Sequence, residues 1–139
     1  MENTRYLPVF GRLLIGLPFM MSGLGKVASY GATTAYISSV GLPFASLGWV
    51  IAILFEIGGG LCLVLGFRVR VVAVALSLFT LATAIFFHNK FADQNQMIHF
   101  LKNIMIIGGL LQIAHFGAGQ YSFDARRSRH AARPASATL

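Results

Sequence analysis

The amino-acid sequence predicts an all-α integral membrane protein in which four hydrophobic helices form a bundle across a bilayer. Hydrophobic residues make up 56% of the 139 positions and charged residues only 11%, whereas a soluble domain usually carries about 25% charged residues. The apolar residues are gathered in four runs, each close to the roughly 20 residues that span a bilayer core. The length allows a single domain of ordinary size.

The four runs and their connections define the expected order of helices. The runs cover residues 7–27, 46–67, 71–87 and 97–116. Only a few residues around Arg68 and Arg70 separate the second run from the third, which predicts a tight antiparallel hairpin. Residues 88–96 are polar and predict a loop between the third and fourth helices.

The connection between the first two runs, residues 28–45, has a different character. It is too short and too polar to cross a bilayer, and it predicts a short interfacial segment. A helix from Thr33 to Val40 fits this segment, because Gly41 and Pro43 provide a stop signal. We therefore expect this segment to lie along the membrane surface between helices 1 and 2.

The basic residues predict the orientation in the membrane. With four crossings, the two termini and the second connection lie on the same side, and that side is expected to be cytoplasmic because arginine and lysine gather there. We expect residues 1–125 to form the transmembrane domain and residues 126–139 to form a basic, disordered cytoplasmic tail. The basic residues expected inside are Arg5, Arg68, Arg70, Arg126, Arg127, Arg129 and Arg133, against Lys26 and Lys90 outside.

Several classes of function are disfavoured by composition and motifs. The net charge of +7 is carried by loops and a tail rather than by a basic stripe with interleaved aromatic residues, so nucleic acid is not an expected partner. Cys62 is the single cysteine, so an internal disulfide or dithiol chemistry is excluded. Neither a metal-ligand spacing nor a nucleophile motif is present. The lipid bilayer is the expected partner.

Glu56 is the residue that most clearly calls for a function or a partner. It lies near the middle of the second run, where an ionisable group costs at least about 2.5 to 3.5 kcal/mol. Arg12, Lys26 and Lys102 are the candidate cations that could pair with it. Small residues at steps of four, Gly48, Ala52 and Gly60, share its helix face and predict that this face packs against another helix.

Two interpretations of these polar residues stay open. In the first, a cation clamps Glu56 and simply holds the helices in place. In the second, Glu56 belongs to a polar pocket in the outer half of the bundle. The residues expected to contribute to that pocket are Lys26, His88, His99, Lys102 and Asn103. Haem between His88 and His99 is disfavoured, because the sequence has no deep pair of histidines.

The residues discussed so far resemble the DoxX family of small four-helix bacterial inner-membrane proteins. The resemblance extends from Arg12 to Asp124. The matching pieces are Arg12 with Ser22-Gly23-Leu24-Gly25-Lys26-Val27, Glu56 with Gly59, Leu63, Gly66 and Arg70, residues 84–88, Phe100-Leu101-Lys102-Asn103, and Gly119 with Ser122-Phe123-Asp124. The resemblance implies an inner-membrane partner in redox chemistry, since relatives are named as subunits of thiosulfate:quinone oxidoreductase or are linked to oxidant stress. The family is also similar to eukaryotic membrane chaperones and cargo receptors.

The leading hypothesis is a DoxX-like subunit that binds a quinone or a small lipophilic substrate and supports electron transfer by redox partner proteins. In this hypothesis Glu56 and Lys102 are the catalytic residues: Glu56 handles a proton, and Lys102 donates a hydrogen bond to a carbonyl oxygen of the substrate, as do Asn103 and His88. Lys26 lines the entrance, and Arg12 also contacts the substrate. One alternative is a membrane assembly or stability factor without enzymatic activity. Another is a small transporter, which would require a homo-oligomer because four helices are few for a transport path.

Overall fold

The computed structural model describes residues 2–132, and nearly all of them lie in helices. A 3-10 turn, Glu2–Tyr6, leads into the first long helix. The helices are α1 (Leu7–Ala28), α2 (Tyr30–Ser39), α3 (Ala45–Ile53), a π-helical segment (Leu54–Gly59), α4 (Gly60–Leu65), α5 (Val69–Phe87), α6 (Gln94–Phe116) and α7 (Phe123–Ala131). The second predicted membrane helix is thus one continuous helix in which a π-helical segment joins α3 to α4.

Four helical stretches are long and apolar enough to cross a membrane, which confirms the predicted fold class. They are Thr4–Ala28, Ala45–Leu65, Val69–Phe87 and Gln94–Phe116. Large apolar side chains cover the outer surfaces of these helices: Leu14 is 75% exposed, Met21 71% and Met105 68%. Such a surface would be unfavourable in water and is suited to lipid tails.

The four membrane helices are arranged in a ring in which sequence neighbours are also spatial neighbours. α1 packs on the second helix, the second helix on α5, and α5 on α6, while the seam that closes the ring between α6 and α1 has the sparsest contacts. Glycines bring α1 and α4 close together, because a Cβ atom on Gly60 would lie 2.7 Å from the Gly16 carbonyl oxygen. Small residues allow this kind of close approach between membrane helices.

The segment between the first two membrane helices contains the expected short helix. α2 begins at Tyr30, three residues before the predicted start, and ends at Ser39. Gly41 follows with a φ of 83°, a left-handed conformation that suits glycine and ends the helix. Ile37 of α2 is buried against the bundle. The placement of α2 at the membrane surface stays a prediction.

The start of α1, the segment before α7 and the hairpin between α4 and α5 meet at one end of the bundle, which we call the terminal end. The Asp124 carboxylate accepts hydrogen bonds from the backbone N–H groups of Arg68 (2.7 Å) and Val69 (3.0 Å) at the start of α5. The backbone N–H of Asp124 donates to the Gly66 carbonyl oxygen (3.0 Å). The segment before α7 is therefore attached to the hairpin.

The structure differs from the sequence prediction in the chain after Arg126, where disorder was expected. α7 continues to Ala131. The Ser122 hydroxyl caps its first turn by accepting a hydrogen bond from the backbone N–H of Ala125 (3.1 Å), and Arg129 lies in the last turn, where a positive charge is favourable. The rest of the predicted tail, residues 133–139, lies outside the described residues.

Candidate functional site

Glu56 lies in the π-helical segment, buried between neighbouring helices. Only 6% of the residue is exposed. Gly58 and Gly59 follow it in the segment, and wider π-type turns of this kind are frequent at functional sites. On α1, Gly23 faces Glu56 so closely that a Cβ atom on Gly23 would lie 3.1 Å from the Glu56 Cβ. Glu56 therefore points into the bundle, as the sequence analysis predicted.

Lys26 is the cation that pairs with Glu56. Its Nζ atom lies 2.9 Å from Glu56 Oε1 and 2.9 Å from Oε2, and it also donates to the Ser22 hydroxyl at 2.9 Å. The backbone carbonyl of Lys26 accepts a hydrogen bond from the Trp49 indole N–H at 2.8 Å. The end of α1 is thus attached to the second membrane helix through both the side chain and the backbone of Lys26.

Two adjoining cavities lie beside the ion pair. The first has a volume of about 290 Å³ and lies between α1, α5 and α6. The second has a volume of about 420 Å³ and extends under α2. Both cavities are lined by Ser22, Glu56, Phe79, Thr83 and Asn103. Glu56 is therefore at the junction of a largely apolar space that reaches from the middle of the bundle toward α2.

Two polar side chains on the cavity walls have no hydrogen-bond partner within the described part of the chain. Thr80 is only 3% exposed, and its hydroxyl oxygen is unpartnered. Asn103, on α6, makes no hydrogen bond through its amide to any residue in the range 2–132. A buried hydroxyl without a partner costs about 1 to 3 kcal/mol, whereas the Asn103 amide is only partly buried. These two groups are therefore available to a bound molecule that carries an acceptor or a donor.

The first cavity borders the seam between α1 and α6, which faces the surroundings of the bundle. Leu14 and Pro18 line this cavity and are also exposed on the outer surface. Pro18 has no N–H, so it cannot donate to the Leu14 carbonyl as other residues in a helix would. α1 and α6 approach each other at Ile15 and Gly109, where a Cβ atom on the glycine would lie 3.0 Å from Ile15.

The structure brings His88 to the second cavity and leaves Lys102 outside both cavities. The His88 ring nitrogen Nδ1 and Gln96 Oε1 are 3.0 Å apart. The rings of His88 and His99 are stacked with centroids 5.1 Å apart, so a haem iron does not fit between them. Lys102 is exposed, and among the described residues it makes neither a hydrogen bond nor an ion pair.

Arg12 lies far from the predicted pocket, at the terminal end of the bundle. It is 1% exposed, and its guanidinium donates to the carbonyl oxygens of Pro8 (3.3 Å), Leu63 (3.1 Å) and Tyr121 (2.7 Å). Arg12 therefore joins α1 to α4 and to the segment before α7. It contacts neither Glu56 nor the cavities beside it.

Trp49, Thr80 and Thr83 belong to this site, although the sequence analysis gave none of them a part in it. An unpartnered hydroxyl can be recognised only when the surrounding side chains are placed. The spacing of Thr80 with Ala73, Ser77 and Ala84 at steps of three or four indicates only a helix face of small residues. Among residues 2–132, no group of three or more side chains is arranged to bind a metal ion.

These features define a small four-helix membrane protein with a buried ion pair beside an apolar cavity. The DoxX family model matches residues 7–89, from α1 through the end of α5. The chain is 41% identical over 113 residues to the inner membrane protein YqjF of Escherichia coli strain K12, covering 81% of this chain and 85% of the relative. It is 34% identical over 125 residues to the inner membrane protein YphA of the same strain, covering 86% and 89%. The chain belongs to the DoxX family. No solved structure has significant similarity to it.

Proposed function

We propose that this protein binds a quinone-like molecule within the inner membrane and supports redox chemistry carried out by partner proteins. The observation that carries the proposal is the position of the Lys26–Glu56 ion pair beside an apolar cavity with two unpartnered polar groups. The names of the two Escherichia coli relatives support the inner membrane as its location. The distribution of arginine at the terminal end supports cytoplasmic termini.

A quinone matches the cavity in shape and in polarity. Its ring and tail are apolar, as are most residues around the first cavity, including Ile15, Phe19 and Ile106. A quinone carbonyl accepts hydrogen bonds, which the Asn103 amide and the Thr80 hydroxyl can donate. Phe79 offers an aromatic surface on the cavity wall, and its ring is stacked on Phe55 with centroids 5.0 Å apart. A flat aromatic ligand would gain favourable contacts there.

The ion pair would supply proton handling beside the bound carbonyl. Reduction of a quinone to a quinol consumes two electrons and two protons. Partner proteins would supply the two electrons, and Glu56, which lines the first cavity, would pass each proton to a ligand oxygen. After each transfer Glu56 would be reprotonated from water through Lys26, whose side chain is partly exposed. Because the Lys26 amine is within 2.9 Å of both Glu56 oxygens, a proton can pass between the two side chains without large movements. Arg12 and Lys102 have no part in this proposal, since neither lines the cavities.

The seam between α1 and α6 gives the ligand a direct path from the lipid. Quinones dissolve in the hydrocarbon region, so a ligand that enters between α1 and α6, past Leu14 and Pro18 of α1, would not cross water. The sparse contacts along this seam make it the easiest place for two helices to separate. The proposed entrance therefore lies at membrane depth rather than at a water-filled mouth.

The fluorescence of Trp49 provides a direct test of quinone binding. It is the single tryptophan, and its indole N–H is bonded to Lys26. We expect a short-chain benzoquinone to quench Trp49 saturably in the purified protein. Asn103→Leu should weaken binding about tenfold or more, since it removes a hydrogen bond from the ligand. Lys102→Gln is the matched control, because Lys102 is the neighbour of Asn103 but lies outside both cavities.

The result that contradicts the proposal is equal quenching in wild type and Asn103→Leu, or quenching that never saturates. The amount of folded protein and the helical circular dichroism must be measured for both variants, so that a loss of fold is not read as a loss of binding. A similar loss of binding in Lys102→Gln would also contradict the assignment of the cavity.

A second candidate function is that of an assembly or stability factor, and one observation favours it. Both carboxylate oxygens of Glu56 are already bonded to Lys26, so the pair is satisfied without a ligand. Under this hypothesis Glu56→Gln lowers the abundance of the protein and of a companion complex, while Asn103→Leu has no effect on either. The quinone hypothesis predicts instead that Asn103→Leu weakens the saturable quenching of Trp49.

A further inference from the structure

A second site lies at the terminal end of the bundle, away from Glu56. Here a groove with a volume of about 570 Å³ runs between the start of α5, the end of α6 and the first turns of α7. Three arginines line it: Arg68, Arg70 and Arg127. They come from two parts of the chain that are more than 50 residues apart, and the fold gathers them around one space.

The charge in this groove is positive. The one acidic residue on its wall is Asp124, whose carboxylate accepts hydrogen bonds from the backbone N–H groups of Arg68 and Val69. Asp124 therefore caps α5 instead of pairing with a guanidinium. Within residues 2–132, none of the three arginines forms an ion pair. The groove presents three positive charges against one negative charge.

The backbone of Gly117 lies close to one of these arginines, Arg70. Its φ of 85° is a left-handed conformation that other residues rarely adopt. A Cβ atom on Gly117 would lie 3.3 Å from Arg70 Nε, so the missing side chain leaves room for the guanidinium against the backbone. The Arg70 guanidinium therefore lies against the backbone at the end of α6.

Apolar side chains form the adjacent part of the same groove. Val71 is 71% exposed and Phe116 is 74% exposed, and both line it. Val71 is near the first residue of the membrane stretch Val69–Phe87, and Phe116 is the last residue of Gln94–Phe116. The arginines therefore lie near the ends of two membrane-length helices, with an apolar surface directed along those helices.

We propose that this groove binds an anionic phospholipid, with the phosphodiester between Arg70 and Arg127 and an acyl chain along Val71 and Phe116. Guanidinium groups donate two parallel hydrogen bonds to phosphate oxygens, and basic pockets between helices at the membrane surface bind anionic headgroups. A free phosphate matches the arginines but leaves the apolar wall unused. A zwitterionic lipid brings its own cation into a groove that is already positive.

Native mass spectrometry of the full-length protein tests this proposal with three probes: phosphatidylglycerol, phosphatidylcholine and inorganic phosphate. We expect phosphatidylglycerol to stay bound at concentrations where phosphatidylcholine does not. Arg70→Gln and Arg127→Gln should each weaken that binding about fivefold, as expected for loss of one arginine at a membrane surface. Arg126→Gln is the matched control, since Arg126 is next to Arg127 on α7 but lies outside the groove.

Three outcomes would overturn the proposal. Equal retention of the two lipids would mean that charge does not select the headgroup. Displacement of phosphatidylglycerol by inorganic phosphate at comparable concentration would mean that the groove recognises the free anion. An equal loss in Arg126→Gln would mean that only the overall charge of α7 matters. If Arg70→Gln folds poorly, Arg127→Gln still tests the proposal. Arg127 is an exposed helical residue, so its replacement should leave the fold intact.

Discussion

The terminal end and the middle of the bundle each contain a buried charged residue, and the two residues are hydrogen-bonded in different ways. Arg12 donates three hydrogen bonds, all to backbone carbonyl oxygens, and no described cavity includes it. Glu56 is bonded to one side chain, Lys26, and it lines both cavities in the other half of the bundle. A backbone partner is fixed by the fold, whereas a side-chain partner can move when a ligand binds.

This difference separates a structural charge from a candidate functional one. The guanidinium of Arg12 can leave its partners only if α1, α4 and the segment before α7 separate. The Lys26 amine can leave Glu56 by rotation of its own side chain, since Lys26 is partly exposed and the space beside it is open. Substitutions in the two regions should therefore differ both in size and in the property that changes.

The largest effect is expected for Arg12→Met. This change removes the guanidinium donor to the Tyr121 carbonyl oxygen and one of two donors to the Leu63 carbonyl oxygen, which also accepts from the Gly66 backbone N–H (3.1 Å). The expected loss is roughly 3 to 5 kcal/mol, because charged hydrogen bonds at a buried site are removed. Thermal unfolding in detergent, followed by circular dichroism, should show a clearly lower midpoint. Arg5→Met is the control, because Arg5 is exposed near the same end. Equal midpoints for the two variants would contradict the structural role of Arg12.

An intermediate effect is expected at the Lys26–Glu56 pair. Lys26→Met leaves Glu56 buried without its cation, and the expected loss is about 2 to 4 kcal/mol, less than at Arg12 because Lys26 is partly exposed. The double variant with Glu56→Gln should be more stable than the sum of the single changes predicts. Unfolding midpoints of the four proteins measure this coupling. Losses that add to within about 0.5 kcal/mol would show that the pair does not act as a unit.

The sequence predicts the bundle well because the bilayer limits the possible folds. Apolar runs near 20 residues fix the number of membrane helices, and all four predicted runs correspond to helices in the structure. The inward orientation of Glu56 also follows from its cost in lipid. The sequence did not decide which of three cations pairs with Glu56. A residue's depth in the membrane can be read from the sequence, but the rotation of its helix, which determines its neighbours, cannot.

The features that the sequence did not predict depend on contacts between distant residues. α7 is held by Asp124, which caps α5 at positions more than 50 residues earlier, and composition alone indicates a solvated tail there. The π-helical segment at Leu54–Gly59 changes which side chains face α1, and no local pattern signals it. The cavity and the unpartnered hydroxyl of Thr80 exist only between packed helices.

The smallest effect on stability is expected for Thr80→Val. Comparing this variant with Ser77→Ala distinguishes a residue on the cavity wall from a packed residue of the same helix. Valine keeps the shape of threonine and removes a buried hydroxyl that has no partner, so stability should stay the same or rise by up to about 1 kcal/mol. Ser77→Ala is the matched comparison one turn earlier, because the Ser77 hydroxyl donates to the Ala73 carbonyl oxygen at 2.8 Å. That variant should lose about 0.5 to 1.5 kcal/mol.

The two variants should rank in the opposite order in quinone binding. Thr80→Val removes a donor at the cavity wall, so the saturable quenching of Trp49 should weaken, while Ser77→Ala should bind as wild type does because Ser77 lies outside both cavities. A Thr80→Val protein that is less stable than Ser77→Ala would mean that the hydroxyl has a structural partner. A stable Thr80→Val protein with unchanged binding would remove Thr80 from the site and leave the Asn103 amide as the single donor to the ligand.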